Sequence, residues 1–299
     1  MEARKSEKKW YRLGHTVIEV CSPEKVPIPE NLTRFEMDEP VPGEIRRTYE
    51  IQTVTDLTGP EWAFREACPE AREICRDRVR IRTAGDQECR LLNFYGSPEP
   101  FALSWEEPER TRIWVREEVL PMLIYDTVYA SLFHLEKLML QEGALILHSA
   151  YMCREGRAVL FSAPSETGKS TQADLWEKYR GTRTVNGDRS LLVRDPDGWR
   201  AYGWPVCGSS GICQNESYPV EAIVMLYQAP TNEIRRLKGA RALQKVFGQV
   251  TVNMWDSTAQ MRALDLLESL LSEVPVFELG CTISEEAVRC LEEALLNRQ

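Results

Sequence analysis

Short alternating runs of apolar and polar residues fill the first part of the chain: Trp10–Leu13, Thr16–Val20, Arg78–Arg82, Cys89–Tyr95, Phe101–Trp105 and Thr111–Val115. Alternation with period two is what a half-buried strand requires. Prolines punctuate these runs at Ser22-Pro23, Pro27-Ile28-Pro29, Glu39-Pro40 and Pro42-Gly43, where a helix cannot continue. The pattern predicts a mostly antiparallel β region over residues 1–117. Trp62 to Asp77 reads either as a short helix or as two loops.

The period changes at Val119. Ile124, Val128, Leu132, Leu135 and Met139 recur at spacings of four and three, which predicts one long helix from Val119 to Leu140 that joins two halves of the chain. Beyond it, Ala144–Tyr151 and Arg157–Phe161 read as buried strands around a Glu155-Gly156 turn. They feed a loop, Ser162–Gly168, and a helix, Lys169–Tyr179. Strands then fit Arg183–Val185, Leu191–Arg194, Trp199–Tyr202, Ala222–Tyr227 and Val274–Leu279, with turns at Asn186-Gly187 and Asp195-Pro-Asp-Gly198. Helices fit Gly239–Phe247 and Ser257–Leu271, and Ser284 followed by two glutamates is an N-cap and first turn for a closing helix. The domains predicted are 1–117, β-rich, and 118–299, α/β.

Composition narrows the class. With 299 residues, 43% hydrophobic and 28% charged, the chain is an ordinary globular one with enough apolar material for a large core. Its 37 basic and 46 acidic residues leave a net charge of −9, which argues against nucleic acid as a partner. The nine cysteines have no CxxC spacing and only three histidines accompany them, so neither a disulfide framework nor a zinc site is predicted. The stretch Met1–Trp10 is charged where a signal peptide is apolar, and Val119–Leu140 carries Asp126, His134, Glu136 and Lys137. The expectation is a cytoplasmic protein with no membrane partner; a homo-oligomer is compatible with the sequence.

Candidate chemistry concentrates in Ala163-Pro-Ser-Glu-Thr-Gly-Lys-Ser-Thr171, which matches the phosphate-loop pattern GxxxxGK[ST] except at its first position. In such a loop, successive backbone N–H groups and a helix N-terminus converge on phosphate. Ser165, Glu166, Thr167, Gly168, Lys169, Ser170 and Thr171 are the predicted nucleotide contacts: Gly168 permits close approach, Lys169 reaches the β/γ oxygens and Ser170 ligates Mg²⁺. Two residues depart from the pattern. Ala163 stands where glycine eases a tight turn, and Glu166 brings a carboxylate near the phosphates. Such a loop also needs an acid to hold Mg²⁺ or to take the acceptor's proton, and Asp188, after one helix and one short strand, is the candidate for either task. Arg189 beside it could pair with it or touch phosphate. His148 lies on an apolar strand, where a lone histidine is ordinarily a satisfied core residue. Gly203–Asn215 is a second glycine-rich segment, readable as a surface loop or as a contact for acceptor or nucleotide.

The order Leu147-His-Ser-Ala150, a hairpin, Ser165-Glu-Thr-Gly-Lys-Ser-Thr171 and Asn186-Gly-Asp188 resembles the C-terminal domain of HPr kinase/phosphorylase, a relative of the ATP-type phosphoenolpyruvate carboxykinases. The resemblance covers residues 144–215 and leaves out residues 1–117; it is nearer to divergent HPr-kinase-like proteins whose acceptors vary. It implies a P-loop kinase domain with a mixed sheet, using ATP and Mg²⁺. Catalytic roles would fall to Lys169, to His148 against the transferred phosphate, and to Asp188; Ser170 and Asp188 would hold the metal. The family's acidic pair becomes Gly187-Asp188, so either another acid such as Glu216 or Asp174 enters the site or Asp188 acts alone.

The expected activity is transfer of the γ-phosphoryl group of ATP to a hydroxyl of a peptide, protein or small molecule. A nucleotide-binding regulator without turnover is the alternative, and a carboxykinase-like lyase is a more distant one. The β-rich region is assigned either to acceptor recognition or to a structural cover.

Overall fold

A computed structural model describes residues 6–76, 79–85, 87–94 and 97–297. Arg78 and Tyr95, at the ends of two expected strands, Asp77, and Met1 to Lys5 of the charged start lie outside the described residues. The chain divides by its internal contacts into residues 1–135 and 136–299.

The first unit holds β1 (Ser6–Leu13), β2 (Thr16–Pro23), α1 (Glu30–Thr33), β3 (Glu36–Met37), β4 (Ile45–Val54), α2 (Thr58–Ala67), β5 (Arg72–Arg76), β6 (Val79–Ala84), β7 (Gln87–Asn93), β8 (Pro100–Glu106), β9 (Arg110–Arg116) and α3 (Asp126–Leu132). Its strands form one nine-stranded sheet in the order β3-β1-β2-β4-β9-β8-β7-β6-β5. Neighbours run antiparallel except for β2 with β4 and β4 with β9, which are parallel. The sequence pattern missed β4 because a buried arginine, Arg47, takes an inward position beside Tyr49 and Ile51. Of the two readings for Trp62–Asp77, the chain uses a helix, α2, that lays Phe64 against Trp105 edge to face, and then a strand.

The single helix expected from Val119 to Leu140 does not form. A 3₁₀ turn over Glu117–Met122 contains Pro121, α3 follows, and α4 (Leu135–Gln141) starts anew. The break falls at His134, whose φ of +50° is left-handed and incompatible with a continuing helix. The expected apolar stripe is consequently scattered: Leu132 and Met139 are buried while Ile124 is exposed.

The second unit continues with β10 (Ala144–Arg154), β11 (Arg157–Ser162), α5 (Lys169–Arg180), β12 (Arg183–Asn186), β13 (Arg189–Asp195), β14 (Gly198–Tyr202), β15 (Ser217–Gln228), β16 (Glu233–Leu237), α6 (Gly239–Phe247), α7 (Ser257–Glu273), β17 (Val276–Cys281) and α8 (Glu285–Leu296). An antiparallel layer, β10-β13-β14-β15, and a mixed layer that contains β11, β15 and β17 share their long strands. The first half of β10 pairs with β13 and its second half with β11. Likewise β15 pairs first with β14, then in parallel with β11 and β17. The Glu155-Gly156 turn closes the β10–β11 hairpin with both residues at positive φ, the geometry that suits the strands' twist.

Both faces of the β11–β15–β17 layer are covered, which is why these strands read as continuous apolar runs. Val159, Phe161, Val224 and Leu279 face Ala173 and Trp176 of α5 and Val288 and Leu291 of α8. Leu160, Ile223 and Val276 face Val246 of α6 and Ala263, Leu267 and Leu270 of α7. Ser284 caps α8 as expected by accepting from the Ala287 N–H, and Asp256 does the same for α7 from Ala259. Among the described residues, no helix is long and apolar enough to cross a membrane.

Candidate functional site

The candidate residues meet where β10 passes from one sheet to the other. His148 is the last residue paired with β13, opposite Arg189, and Ser149 is the first paired with β11, opposite Ser162. Ser162 ends its strand and opens the candidate phosphate loop, and its hydroxyl donates to the His148 carbonyl at 2.7 Å. The Ser149 N–H donates to the Asp188 carbonyl at 2.9 Å. One strand therefore places His148, Asp188 and the start of the loop side by side. The loop leaves the carboxyl end of β11, which runs parallel to β15, and in α/β sheets ligands are received outside the carboxyl ends of the parallel strands.

Asp188 is held in a fixed orientation. The buried Asn186 side chain accepts from the N–H groups of Asp188 and Arg189 at 2.9 and 2.8 Å, while its amide donates to the carbonyls of Trp204 and Val206. His148 Nε2 lies 3.2 Å from Asp188 Oδ1, and Arg189 Nε donates to Oδ2 at 3.2 Å. Burial raises the carboxyl's pKa, but the hydrogen bond from His148 and the positive charges of Arg189 and Lys169 outweigh it, so Asp188 sits below the usual carboxylate range. It is ionised at neutral pH. Each oxygen has one protein partner and therefore keeps acceptor capacity.

The glycine-rich segment lies against this turn. Gly208, at φ +59°, is close enough that a Cβ there would stand 3.1 Å from Asp188 Cβ and Cγ. Ser210 bridges the Cys207 carbonyl and the Ile212 N–H, and a Cβ on Gly187 would meet its hydroxyl at 2.0 Å. A side chain at position 187 is thereby excluded, and with it a second carboxylate beside Asp188. Neither alternative acid compensates. Glu216 is engaged by both terminal nitrogens of Arg183 at 2.5 Å and by Tyr218, and Asp174 sits on the exposed face of α5.

In the loop, Ser165 and Glu166 are exposed, Thr167 and Thr171 are half-buried and Ser170 is exposed on the first turn of α5. Gly168 caps α5 at φ +112° and supplies no side-chain bond to the helix's free N–H groups. Glu166, at φ +63°, takes a backbone conformation that costs a side chain about 1–2 kcal/mol. Lys169 is buried; its ammonium donates to the carbonyls of Ala163 at 3.2 Å and Pro164 at 3.3 Å. No carboxylate of the described residues is within ion-pair distance of it. Burial lowers its pKa, Arg189 adds to that, and the Asp188 charge opposes it.

Two residues that the sequence pattern did not single out belong to this arrangement. Gln249 Oε1 is 3.3 Å from His148 Nδ1, and Thr251 Oγ1 accepts from Arg189 Nη1 at 2.6 Å. The only signal for them is the short alternation Gln249-Val-Thr-Val252, too brief to read as a strand.

The site suits a phosphate ligand with Mg²⁺: uncapped helix N–H groups, a buried ammonium bonded only to neutral carbonyls, an exposed serine hydroxyl and one ionised carboxylate. Among the described residues no group of three or more His, Cys, Asp or Glu side chains could hold a metal by itself, and Mg²⁺ bound with phosphates needs only one or two protein oxygens.

No curated protein matches the chain. Among solved structures, the HPr(Ser) kinase/phosphatase from Coxiella burnetii is similar at 13% identity and a TM-score of 0.30, over 50% of this chain and 93% of that one. The family described as SynChlorMet cassette protein ScmC matches residues 118–296, more than half of the chain, and the chain belongs to that family.

Proposed function

We propose that residues 136–299 form an ATP-dependent kinase that transfers the γ-phosphoryl group to a hydroxyl acceptor. The observation that carries this reading is the Asp188 carboxylate, oriented by His148 and Arg189 and within electrostatic reach of the phosphate-loop Lys169. The backbone of Thr167–Ser170 would cradle phosphates, Lys169 would offset their charge, and Ser170 and Asp188 would hold Mg²⁺, which supplies further charge neutralisation. In the transfer, the acceptor oxygen forms a bond to the γ-phosphorus, the bond from that phosphorus to the bridging oxygen breaks, and ADP leaves. The acceptor's proton passes to Asp188 or solvent. Asp188 is a weak base because its pKa is lowered, but a loose transition state asks for orientation of the hydroxyl more than for its deprotonation.

One observation favours a second reading, a nucleotide-binding regulator without turnover. Position 187 has no room for a second carboxylate, so Asp188 alone would have to serve both as metal ligand and as base. Incubation with Mg²⁺ and γ-labelled ATP plus a lysate of the organism that makes the protein separates the two. Label on an acceptor, absent with Lys169→Ala, supports the kinase; bound nucleotide with no labelled species supports the regulator.

A further inference from the structure

Both side chains that hold Asp188 are themselves held, and by the same short segment. Between α6 and α7, residues 249–251 pair with β10: the His148 N–H donates to the Gln249 carbonyl at 2.9 Å, and the Thr251 N–H donates to the Ile146 carbonyl at 2.8 Å. Leu147 and Val250 stand opposite each other in a single bridge. Gln249 lies in the turn that ends α6, its N–H bonded to the Val246 carbonyl, and Val250 is the bridge residue. From either side of that bridge Gln249 Oε1 meets His148 Nδ1 and Thr251 Oγ1 accepts from Arg189 Nη1.

We infer that Gln249 and Thr251 are positioning residues for phosphoryl transfer, forming a clamp that fixes Asp188 through His148 and Arg189. The inference rests on the kinase reading of the same site. The imidazole is bracketed at both nitrogens, by Gln249 and by Asp188, so its ring cannot turn without losing a bond. The guanidinium is likewise bracketed, Nε on Asp188 and Nη1 on Thr251. A carboxylate with one bond to each oxygen would otherwise rotate about its own torsion; anchoring both partners removes that freedom. Partners that act one step removed from a reacting group commonly change its performance by about 10- to 100-fold. Neither Gln249 nor Thr251 bonds any phosphate-loop residue, so nucleotide affinity should not depend on them.

Thr251→Val and Gln249→Met keep shape and remove the polar contact; Thr251→Ser keeps it. With the labelled acceptor, kcat should fall about 10-fold or more in the first two, KM for ATP and nucleotide affinity should stay within about 2-fold, and Thr251→Ser should restore transfer. The double variant should fall little further than the worse single one, because both routes end on Asp188. Unchanged kcat in both single variants of an enzyme that transfers label would overturn the clamp. If the unaltered protein transfers nothing, the kinase reading fails by itself, and crystal structures of the two variants still decide the inference. Displaced His148 and Arg189 side chains support it, and unmoved ones refute it.

Discussion

Two histidines in this chain each sit between carboxylates and arginines, and they serve different ends. His134, in the first unit, is sealed. Its Nε2 is 2.6 Å from the hydroxyl of Ser104, itself 0% exposed, and its Nδ1 is 3.8 Å from both Glu88 and Glu106. Arg90 pairs with Glu88 and Arg47 with Glu106. Serine, histidine and acid are all present, yet nothing can reach them, so the cluster ties β7, β8 and β4 to the break after α3. His148, in the second unit, is half-buried, and its acid lies within electrostatic reach of Lys169, in the candidate phosphate loop. The difference teaches that residue types in contact do not make a site. Access and a neighbouring means of holding substrate do.

The sharpest contrast is expected from the loop. Lys169→Ala should reduce phosphoryl transfer about 1,000-fold, the scale of removing a preorganised charge-stabilising donor, whereas Ser104→Ala should leave transfer by the remaining enzyme unchanged. Equal losses from both, measured as initial rates on folded protein, would dissolve the distinction between the two clusters.

Ser104→Ala should act instead on stability. It deprives a buried imidazole nitrogen of its partner, at a cost of about 2 kcal/mol, visible as an earlier thermal transition of the first unit.

Acid should separate the units too. Burial, and then the Arg90 charge, hold the His134 pKa below its ordinary value of 6.5. The unfolded chain therefore takes up a proton first as pH falls, and the first unit loses up to about 1.4 kcal/mol per pH unit below pH 6.5 until the folded value is reached. Asp188 has the same sign in a lower window: its lowered pKa contributes stability that is full above its unfolded value of 3.8 and is lost only as pH falls through the folded value. Hydrogen exchange followed between pH 6.5 and 5 should show loosening in β7 and β8 with β10 and β13 protected. Simultaneous loosening would place the pH-sensitive group elsewhere.

The smallest effect expected is at Glu166, whose φ of +63° glycine tolerates freely. Glu166→Gly should relieve about 1 kcal/mol and raise the second unit's transition by a few degrees, with transfer preserved. A loss of transfer would mean that the Glu166 side chain does more than tolerate its position.

The strand–loop–helix that carries the candidate phosphate-binding residues was legible in the sequence because it is contiguous: an apolar strand, Gly168-Lys-Ser and an amphipathic helix follow one another without interruption. Asp188 could be found for the same reason, one helix and one strand onward. Gln249 and Thr251 could not, because they reach His148 and Arg189 across 101 and 62 residues and are uncharged. Gly187 shows its meaning only in three dimensions, where Ser210 occupies the place of its side chain. In the fold, β16 was hidden because an edge strand with two exposed arginines reads as polar loop, and the break at His134 because a left-handed residue leaves the helical spacing of its neighbours intact.

On the proposed kinase reading, the carboxylate of Asp188, beside the candidate phosphate loop, directs phosphoryl transfer. Its most direct test compares unaltered protein with Asp188→Asn at matched nucleotide occupancy, following label from γ-labelled ATP to the acceptor in a single turnover. Nucleotide should be retained and transfer slowed about 100-fold or more. Transfer at the unaltered rate with nucleotide equally bound would contradict that reading.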